Sequence, residues 1–579
     1  MRRNVEGIAL VTALAILAIV TLLVVGTVFT TQIESWTTRN DATSTQAYYI
    51  AHAGLEKYKT IAFQTYNFYL NHLQDYGDSL GTTAICGNLL ASGLDLDRDF
   101  SFSSTNDLLP GGSITRNYGG GTYKITYAVS GPDIVLTSVG TIHKARATVQ
   151  VVFHPQNAGL FSNALFAGGG ISSQYINGDA QVYGSVYVEG DAANPTTVIN
   201  SNGNFSMHNY YDSTEIANLF GNTFTTTQLK SMLGATATDQ TDLCARLRVA
   251  YGSVATSGSV TLGAAQSTAP SSDYKASLAG LNVYQGSSDI SQTGSSTIYA
   301  DNYPNGDLSY DLSKNMPLPN LDTTPCKSDP SHSWRYCLDN GSQASSFPVD
   351  AALTTSGSCV LPMVGSTITF DTTTIDCTYT TTDANGNTVQ HGFKYSYDAS
   401  TGSGTLTVHG VVDFKGYNLH FSKNVQTQYS GKATIMATTV NGDGGNITVD
   451  GDVLPNTTQC VMVGGNCKTP SFPSDEVLGM IAENDLTFTG STQSQSTTGT
   501  KTQTAVGLFY AGDVASIEQS GVVMGSVLAK EISTSSNGNA GQTPTIVQVP
   551  GLEYNLAPGF DEIKGDLLAT FHILSYERR

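Results

Sequence analysis

An uncharged apolar run, Ile8 to Phe29, follows directly on a seven-residue leader, Met1-Arg2-Arg3-Asn4-Val5-Glu6-Gly7, and decides what kind of chain this is. At about 1.5 Å per residue, the run makes a helix of about 33 Å, enough to cross the hydrocarbon of a bilayer. Arg2 and Arg3 precede the run and Glu34 is the first charge beyond it. The N-terminus is therefore expected in the cytoplasm and the bulk of the chain outside. A secretory signal peptide would have an apolar core of about 7–15 residues and an Ala-x-Ala-like site. Gly26-Thr27-Val28-Phe29-Thr30-Thr31 offers no such site. A plain single-span anchor fits the length but leaves the leader unexplained. A cut between Gly7 and Ile8 would remove the leader and keep the helix.

No proline occurs before Pro110, so the run can continue as one long helix. Ile33, Trp36, Thr43, Ala47, Ile50 and Ala51 are mostly three or four apart or fall on one helical face, as do Gly54, Leu55, Tyr58, Ile61, Ala62 and Tyr69. Such a stripe can hold a sheet. A β-meander follows: Tyr123, Ile125, Tyr127 and Val129 alternate with polar or small residues, Ser130-Gly131-Pro132-Asp133 turns, and Ile134 to Val139 and Lys144 to Phe153 make two more strands. The last apolar segment, Phe571 to Tyr576, reads as a further strand able to join that sheet. The expected class is α+β: a long N-terminal helix packed on a small antiparallel β-sheet, with a large mostly-β insertion before the last sheet strand. The expected divisions are a leader at 1–7, a membrane or filament-core helix at 8–30, a helix-plus-meander domain at 31–156, the insertion at 157–555, and a returning segment at 556–579.

The leader resembles the prepilin leader of type IV pilins, which a peptidase cuts after a glycine. Ala47-Tyr48-Tyr49-Ile50-Ala51-His52-Ala53-Gly54-Leu55-Glu56 resembles the Ala-x-x-x-Ala-Glu-Ala-Gly-Leu signature of PilX-type minor pilins, with His52 standing where that family usually has Glu. The resemblance implies processing at Gly7–Ile8 by prepilin peptidase, a methylated mature N-terminus, other minor and major pilins as partners, and residence in the inner membrane before assembly into a surface pilus. Major pilins carry Glu at the fifth mature position, where it pairs with a neighbouring subunit's amine; counted from Ile8, that position is Thr12. A subunit with nothing above it does not need the carboxylate, since only a docking subunit would bury that charge. Thr12 thus points to the filament tip, although minor pilins elsewhere in a filament also tolerate the change.

Within 157–555, strands of one pattern recur at Leu478–Ala482, Val506–Ala511, Met524–Ala529, Asn163–Ala167 and Tyr183–Val188. Separations of 18 (506 to 524) and 20 (163 to 183) suit the coils of a β-solenoid with Gly/Asn turns, and a sandwich could carry similar motifs. A helix-like stretch lies around Thr227 to Tyr251, and a hairpin turns at Asp383-Ala384-Asn385-Gly386-Asn387. With this layout the chain resembles the large ComZ-type minor pilins of Thermus-like bacteria, DNA-uptake components placed near the pilus tip.

Eight cysteines lie outside the apolar run, and in an oxidising compartment they read as disulfides. Short spacings suggest Cys326–Cys337, Cys359–Cys377 and Cys460–Cys467, leaving Cys86 and Cys244; sequence alone does not fix the connectivity. No C-x₂-C pair or accompanying His pair marks a metal site. Asp95-Leu96-Asp97-Arg98-Asp99 starts like a calcium loop, but Phe100 replaces the turn glycine and Asn106 the final Glu; Asn441 to Gly445 and Asp450-Gly451-Asp452 are also open to calcium, and turn chemistry alone explains them. No cofactor is expected. Neither a nucleophile elbow nor a zinc-protease helix nor a phosphate loop appears, so no catalytic residue is assigned; a tethered polysaccharide-degrading enzyme is the remote alternative.

Charge constrains the ligand. Residues 160–550 hold 14 Lys+Arg and 31 Asp+Glu, so 14 − 31 = −17 of the chain's −20. Such a surface repels phosphate on average, and DNA needs a local gathering of cations. Two places qualify. One is the 326–337 loop with Lys327, His332, Trp334, Arg335 and Tyr336, mixing cation and aromatic. The other is Lys415, Tyr417, His420, Phe421, Lys423 and Lys432. Extracellular DNA is the first expected ligand; a surface or glycan bound by a tip adhesin is the second.

Overall fold

A computed structural model describes most of the chain; its main gaps are residues 72–92, 97–106, 169–175, 192–196, 209–242, 263–289, 299–316, 349–358, 457–460, 491–502, 536–542 and 564–567, with shorter ones between. Two compact units form. One comprises residues 1–66, 90–155 and 571–579, the other residues 67–89 and 156–570.

The first unit is built on helix α1 (Arg3–Asn71), which contains the apolar run without interruption. From Ile8 to Trp36 its large apolar side chains are exposed, the state of a segment meant for lipid or other helices. Farther on, Ala47, Ile50, Ala51, Leu55, Tyr58, Ala62 and Tyr66 are buried, at helical spacing. They cover an antiparallel sheet of β1 (Ser113–Tyr118), β2 (Gly121–Ser130), β3 (Asp133–Ile142) and β4 (Ala145–Ala158), with the C-terminal strand Leu568–Arg578 next to β4. Strand β1 is an addition to the three expected. Four of the five strands precede the larger unit in sequence. The small residues of α1 have a steric reason: a Cβ on Gly140 of β3 would lie 2.1 Å from the Ala47 carbonyl oxygen, and one on Gly54 would meet the Tyr123 ring at 2.6 Å. His52 is half-buried near Tyr48, ring centroids 5.9 Å apart, so it belongs to the helix surface.

The larger unit is a closed parallel β-barrel-like body. Its strands pair in register in three rows, and the long strand Thr504–Glu518 crosses all three. The first row includes residues 427–429, 453–455, 504–506, 522–524 and 545–547; the second includes 411–415, 433–437, 478–482, 508–511, 527–529 and 165–167; the third includes 367–370, 418–421, 447–449, 486–488, 515–517 and 532–533. The 18-residue repeat is visible as Val506 opposite Met524 and Gly507 opposite Gly525. In-register parallel stacking also lays Ala437, Ala482, Ala511, Ala529 and Ala167 in one column. Inside, Phe370 stacks on Phe421, and Phe488 meets Phe509 edge-on.

Three expectations change. Residues 556–563 stay with the body, because Ala557, Phe560 and Ile563 are buried in its core, while the strand Leu568–Arg578 belongs to the five-stranded sheet. The stretch read as helical around Thr227 to Tyr251 is extended where it is described, with a strand at Leu247–Val249 paired in parallel to Val186–Val188. The expected β-solenoid is represented by a closed parallel body. The hairpin at 383–387 is present, joining Ile375–Thr382 to Thr388–Asp398.

Candidate binding surfaces

The loop closed by Cys326–Cys337 turns its aromatic and cationic residues largely to structural use. Ser333 caps helix α2 (Trp334–Asn340), its Oγ accepting from the Tyr336 N–H. Trp334, read from sequence as a stacking platform for bases, is 0% exposed. Its indole N–H donates to the Gly559 carbonyl at 2.8 Å, and its ring meets Tyr510 and Phe560 edge-on. It is therefore the peg that holds this segment to the second row. Arg335 spans two carboxylates: Nε lies 2.6 Å from Asp322 and Nη2 lies 2.8 Å from Glu483. Glu483 also accepts from the Thr439 N–H at 2.6 Å, so the guanidinium completes a network and is not free for phosphate. Only the outer edge of the loop faces water. Tyr336 is 44% exposed and stacks on His332 with centroids 3.8 Å apart, His332 Nδ1 lies 2.8 Å from Asp329, and Lys327 is exposed.

The second cationic set is dispersed. Lys415 is opposite Thr438, six residues beyond Lys432 on the neighbouring strand, so the two are about 20 Å apart along the row. Lys415 Nζ lies 2.8 Å from Asp339 and 3.8 Å from Asp413. Asp413 is 1% exposed, and its two oxygens share the single Thr438 hydroxyl proton, at 2.8 and 3.0 Å from Oγ1. Burial, reinforced by the Asp339 carboxylate, pushes its pKa up to about 7. Lys432 donates to Asn555 Oδ1 at 3.1 Å, and burial lowers its pKa. Lys423 is exposed in the turn after the third-row strand Asn418–Phe421. Tyr417 and Phe421 are buried, and His420 lies 2.8 Å from Asp450. The fold brings no two of these lysines together.

Cys359–Cys377 is bonded, and of the other cysteine candidates Cys86, Cys244 and Cys460 lie outside the described residues, with no free cysteine among the described ones. Cys467 stands in a short hairpin opposite Met462. The one cluster of three metal-capable side chains among the described residues, Cys326, Cys337 and Glu562, contains two sulfurs already joined to each other, which removes the thiolate donors a metal would need. The Asp95 to Asn106 loop lies largely outside the described residues, while Asp452 spends an oxygen on the Thr504 N–H.

One surface escaped the sequence reading. Along the outward side of the third row, Thr369, His420, Thr448, Thr487, Ser516 and Ser533 are each opposite the next in parallel register and all partly exposed. At the corner before this column, Asn418 Oδ1 accepts from the Asn446 side chain at 3.0 Å, and Asn446 Oδ1 from the Asp485 N–H at 3.2 Å, an amide ladder that fixes the turn. The corresponding outward side of the second row is closed: Met436, Ile481, Tyr510, Leu528, Phe166 and Tyr187 are buried, with Tyr510 against Trp334 and donating to the Pro319 carbonyl of the 317–340 segment. The signal for the open column was the alternation of Thr, Ser and His with buried Leu, Ile, Val and Phe in short strands whose partners sequence could not assign.

Comparisons with known proteins agree with this architecture. The family model for the PilX N-terminal segment matches residues 6–56. Among solved structures, the crystal structure of the competence-associated pilin ComZ from Thermus thermophilus is similar, with 28% identity and a TM-score of 0.58, covering 93% of this chain and 97% of that one. No curated protein matches.

Proposed function

We propose that this chain, which the two matches support as a ComZ-like minor pilin, works near the tip of a type IV pilus in DNA uptake, as a binding and assembly subunit without catalytic activity. The observation that carries the reading is the whole-length likeness to a competence-associated pilin, joined to an N-terminal helix whose first half is apolar and exposed. Thr12 supports the tip placement. Its hydroxyl donates to the Ile8 carbonyl in its own helix at 2.8 Å, so it is satisfied without a neighbouring subunit. Cleavage after Gly7 by prepilin peptidase, orientation with the N-terminus in the cytoplasm, and association with other minor and major pilins belong to the same proposal. The three-row parallel pairing supports reading the body as a β-solenoid displayed outside the cell.

Direct DNA contact is assigned in this proposal to the exposed edge of the disulfide loop, where Lys327 offers a charge and Tyr336, stacked on His332, offers a ring face. So small a site engages few phosphates. The salt slope should be shallow, about −0.9 per neutralised phosphate on duplex. Deleting the gene should lower transformation frequency and leave other pilus functions less affected; Lys327→Ala with Tyr336→Ala should weaken DNA retention by the purified full chain without unfolding it. If wild-type protein holds no DNA even at low salt, while cells lacking it lose attachment but still transform, the adhesin reading replaces this one. The open third-row column is the observation that favours that second reading.

A further inference from the structure

We infer that the outward side of the third row is a binding face for a linear, uncharged polysaccharide lying along the axis on which the coils stack. The inference goes beyond DNA uptake and deepens the adhesin reading, needing only that the body be displayed outside the cell. The column Thr369, His420, Thr448, Thr487, Ser516, Ser533 crosses six stacked strands. At about 4.8 Å per strand it runs about 24 Å, longer than one sugar ring can use and suited to a chain of them.

Three features select the ligand class. The hydroxyls of Thr369, Thr448, Thr487, Ser516 and Ser533 make no hydrogen bond to another described side chain or backbone group, whereas the outward polar groups on the neighbouring corner are tied into the Asn418–Asn446 ladder. An array of unspent donors and acceptors in strict register suits a polymer whose own hydroxyls repeat. Carboxylates stand beside the column: Glu518 and Asp450, one oxygen of which already holds His420, follow its strands, and Glu531 and Asp485, one oxygen of which accepts from the Val514 N–H, precede them. Carboxylates accept from sugar hydroxyls and repel phosphates, sulfates and uronates. Finally, Thr369, Thr448, Thr487, Ser516 and Ser533 stay partly exposed and no described segment closes over them, in contrast to the second row with its buried Tyr510, Phe166 and Tyr187. A sheet surface of short side chains in fixed register needs no rearrangement on binding, which removes one cost of association.

The test is affinity electrophoresis of the full-length protein in detergent through gels containing hydroxyethylcellulose, dextran or xyloglucan, with alginate and duplex DNA as anionic comparisons. Thr369→Val, Thr448→Val and Thr487→Val together keep the branched shape and remove three hydroxyls; Thr405→Val and Thr407→Val on the first row serve as the control. Retardation by at least one neutral polymer, weakened at least tenfold in the triple variant and unchanged in the control, is the expected result. Absence of retardation by all three neutral polymers overturns the inference, as does a triple variant that folds, by circular dichroism, and is retarded like the wild type. Neither result bears on transformation frequency, so failure here stays distinct from failure of the DNA-uptake reading.

Discussion

The second and third rows of the parallel body are successive sides of the same coils yet meet their surroundings in opposite ways. In the second row both sides are buried, so alternation disappears: Val477–Ala482 is buried at every position. In the third row only one side is buried, and Leu486–Phe488 keeps the alternation of a half-exposed strand. What differs is the cover. The 317–340 segment and residues 551–563 close over the second row through Trp334, Phe560 and the Arg335 bridges, while the third row carries its own water-compatible surface. A covered row should therefore govern stability and an open row should be free to serve binding. Each prediction below either breaks that division or sharpens it.

The largest effect should come from Trp334→Ala. Removing a wholly buried indole, with its hydrogen bond to Gly559, should cost about 3–5 kcal/mol, read as a lowered unfolding midpoint of the body. A change of less than about 1 kcal/mol would mean that the cover is not what stabilises the second row. Arg335→Met comes next. It keeps the aliphatic stem but leaves Asp322 and Glu483 without their shared cation, and should cost about 1–2 kcal/mol. The loss should shrink at high salt only weakly if the Glu483 side of the bridge carries most of it, because Asp322 is the more exposed partner.

How far the sequence could be read follows from this division. Helix α1 was legible because its signals are local: an uninterrupted apolar run, no proline, and small residues at helical spacing. The meander was legible because half-buried antiparallel strands alternate. The parallel repeat was visible in its Gly and Ala positions, since stacking puts like residues on like. Partners were not legible. Trp334 and Arg335 have a composition that suits nucleic acid and a location that makes them core and clamp, and nothing local in 326–337 tells that Gly559 and Glu483 will meet them. Lys415 and Lys432 likewise lie close in sequence terms and at opposite ends of their strands. Tertiary context decided each of these positions. The hydroxyl column was missed for the converse reason, because its members are scattered from 369 to 533 and only the register assembles them.

A third test addresses the buried acid under the cover. Asp413 has a folded pKa of about 7 against an ordinary value near 3.8, raised by burial and then by Asp339. A carboxyl raised in the folded state contributes stability that is fully present below the unfolded pKa and is lost as pH rises through the folded one. The wild-type body should therefore lose stability from about pH 4 to about pH 7, with Glu476, raised by burial to about 8, extending the trend. Asp413→Asn should flatten the part below 7 and be more stable than wild type at pH 8, by an amount on the order of 1 kcal/mol. Thermal unfolding of both proteins at pH 5, 6.5 and 8 measures this; parallel curves would show that the Asp413 carboxyl is not raised in the folded body.

The smallest effect is the one that completes the contrast. Thr448→Val and Thr487→Val lie on the open row, retain the β-branched shape favoured in strands, and break no hydrogen bond to another described group. Each should change stability by no more than about 0.5 kcal/mol, the range of surface substitutions away from special features. Valine could even stabilise slightly, since a methyl is as compatible as a hydroxyl with a pleated, half-buried surface. The measurement is the same unfolding midpoint used for Trp334→Ala. A loss above about 1 kcal/mol at either position would mean that these hydroxyls are structural after all, bonded across strands or through water, and the open row would then need no ligand to account for them.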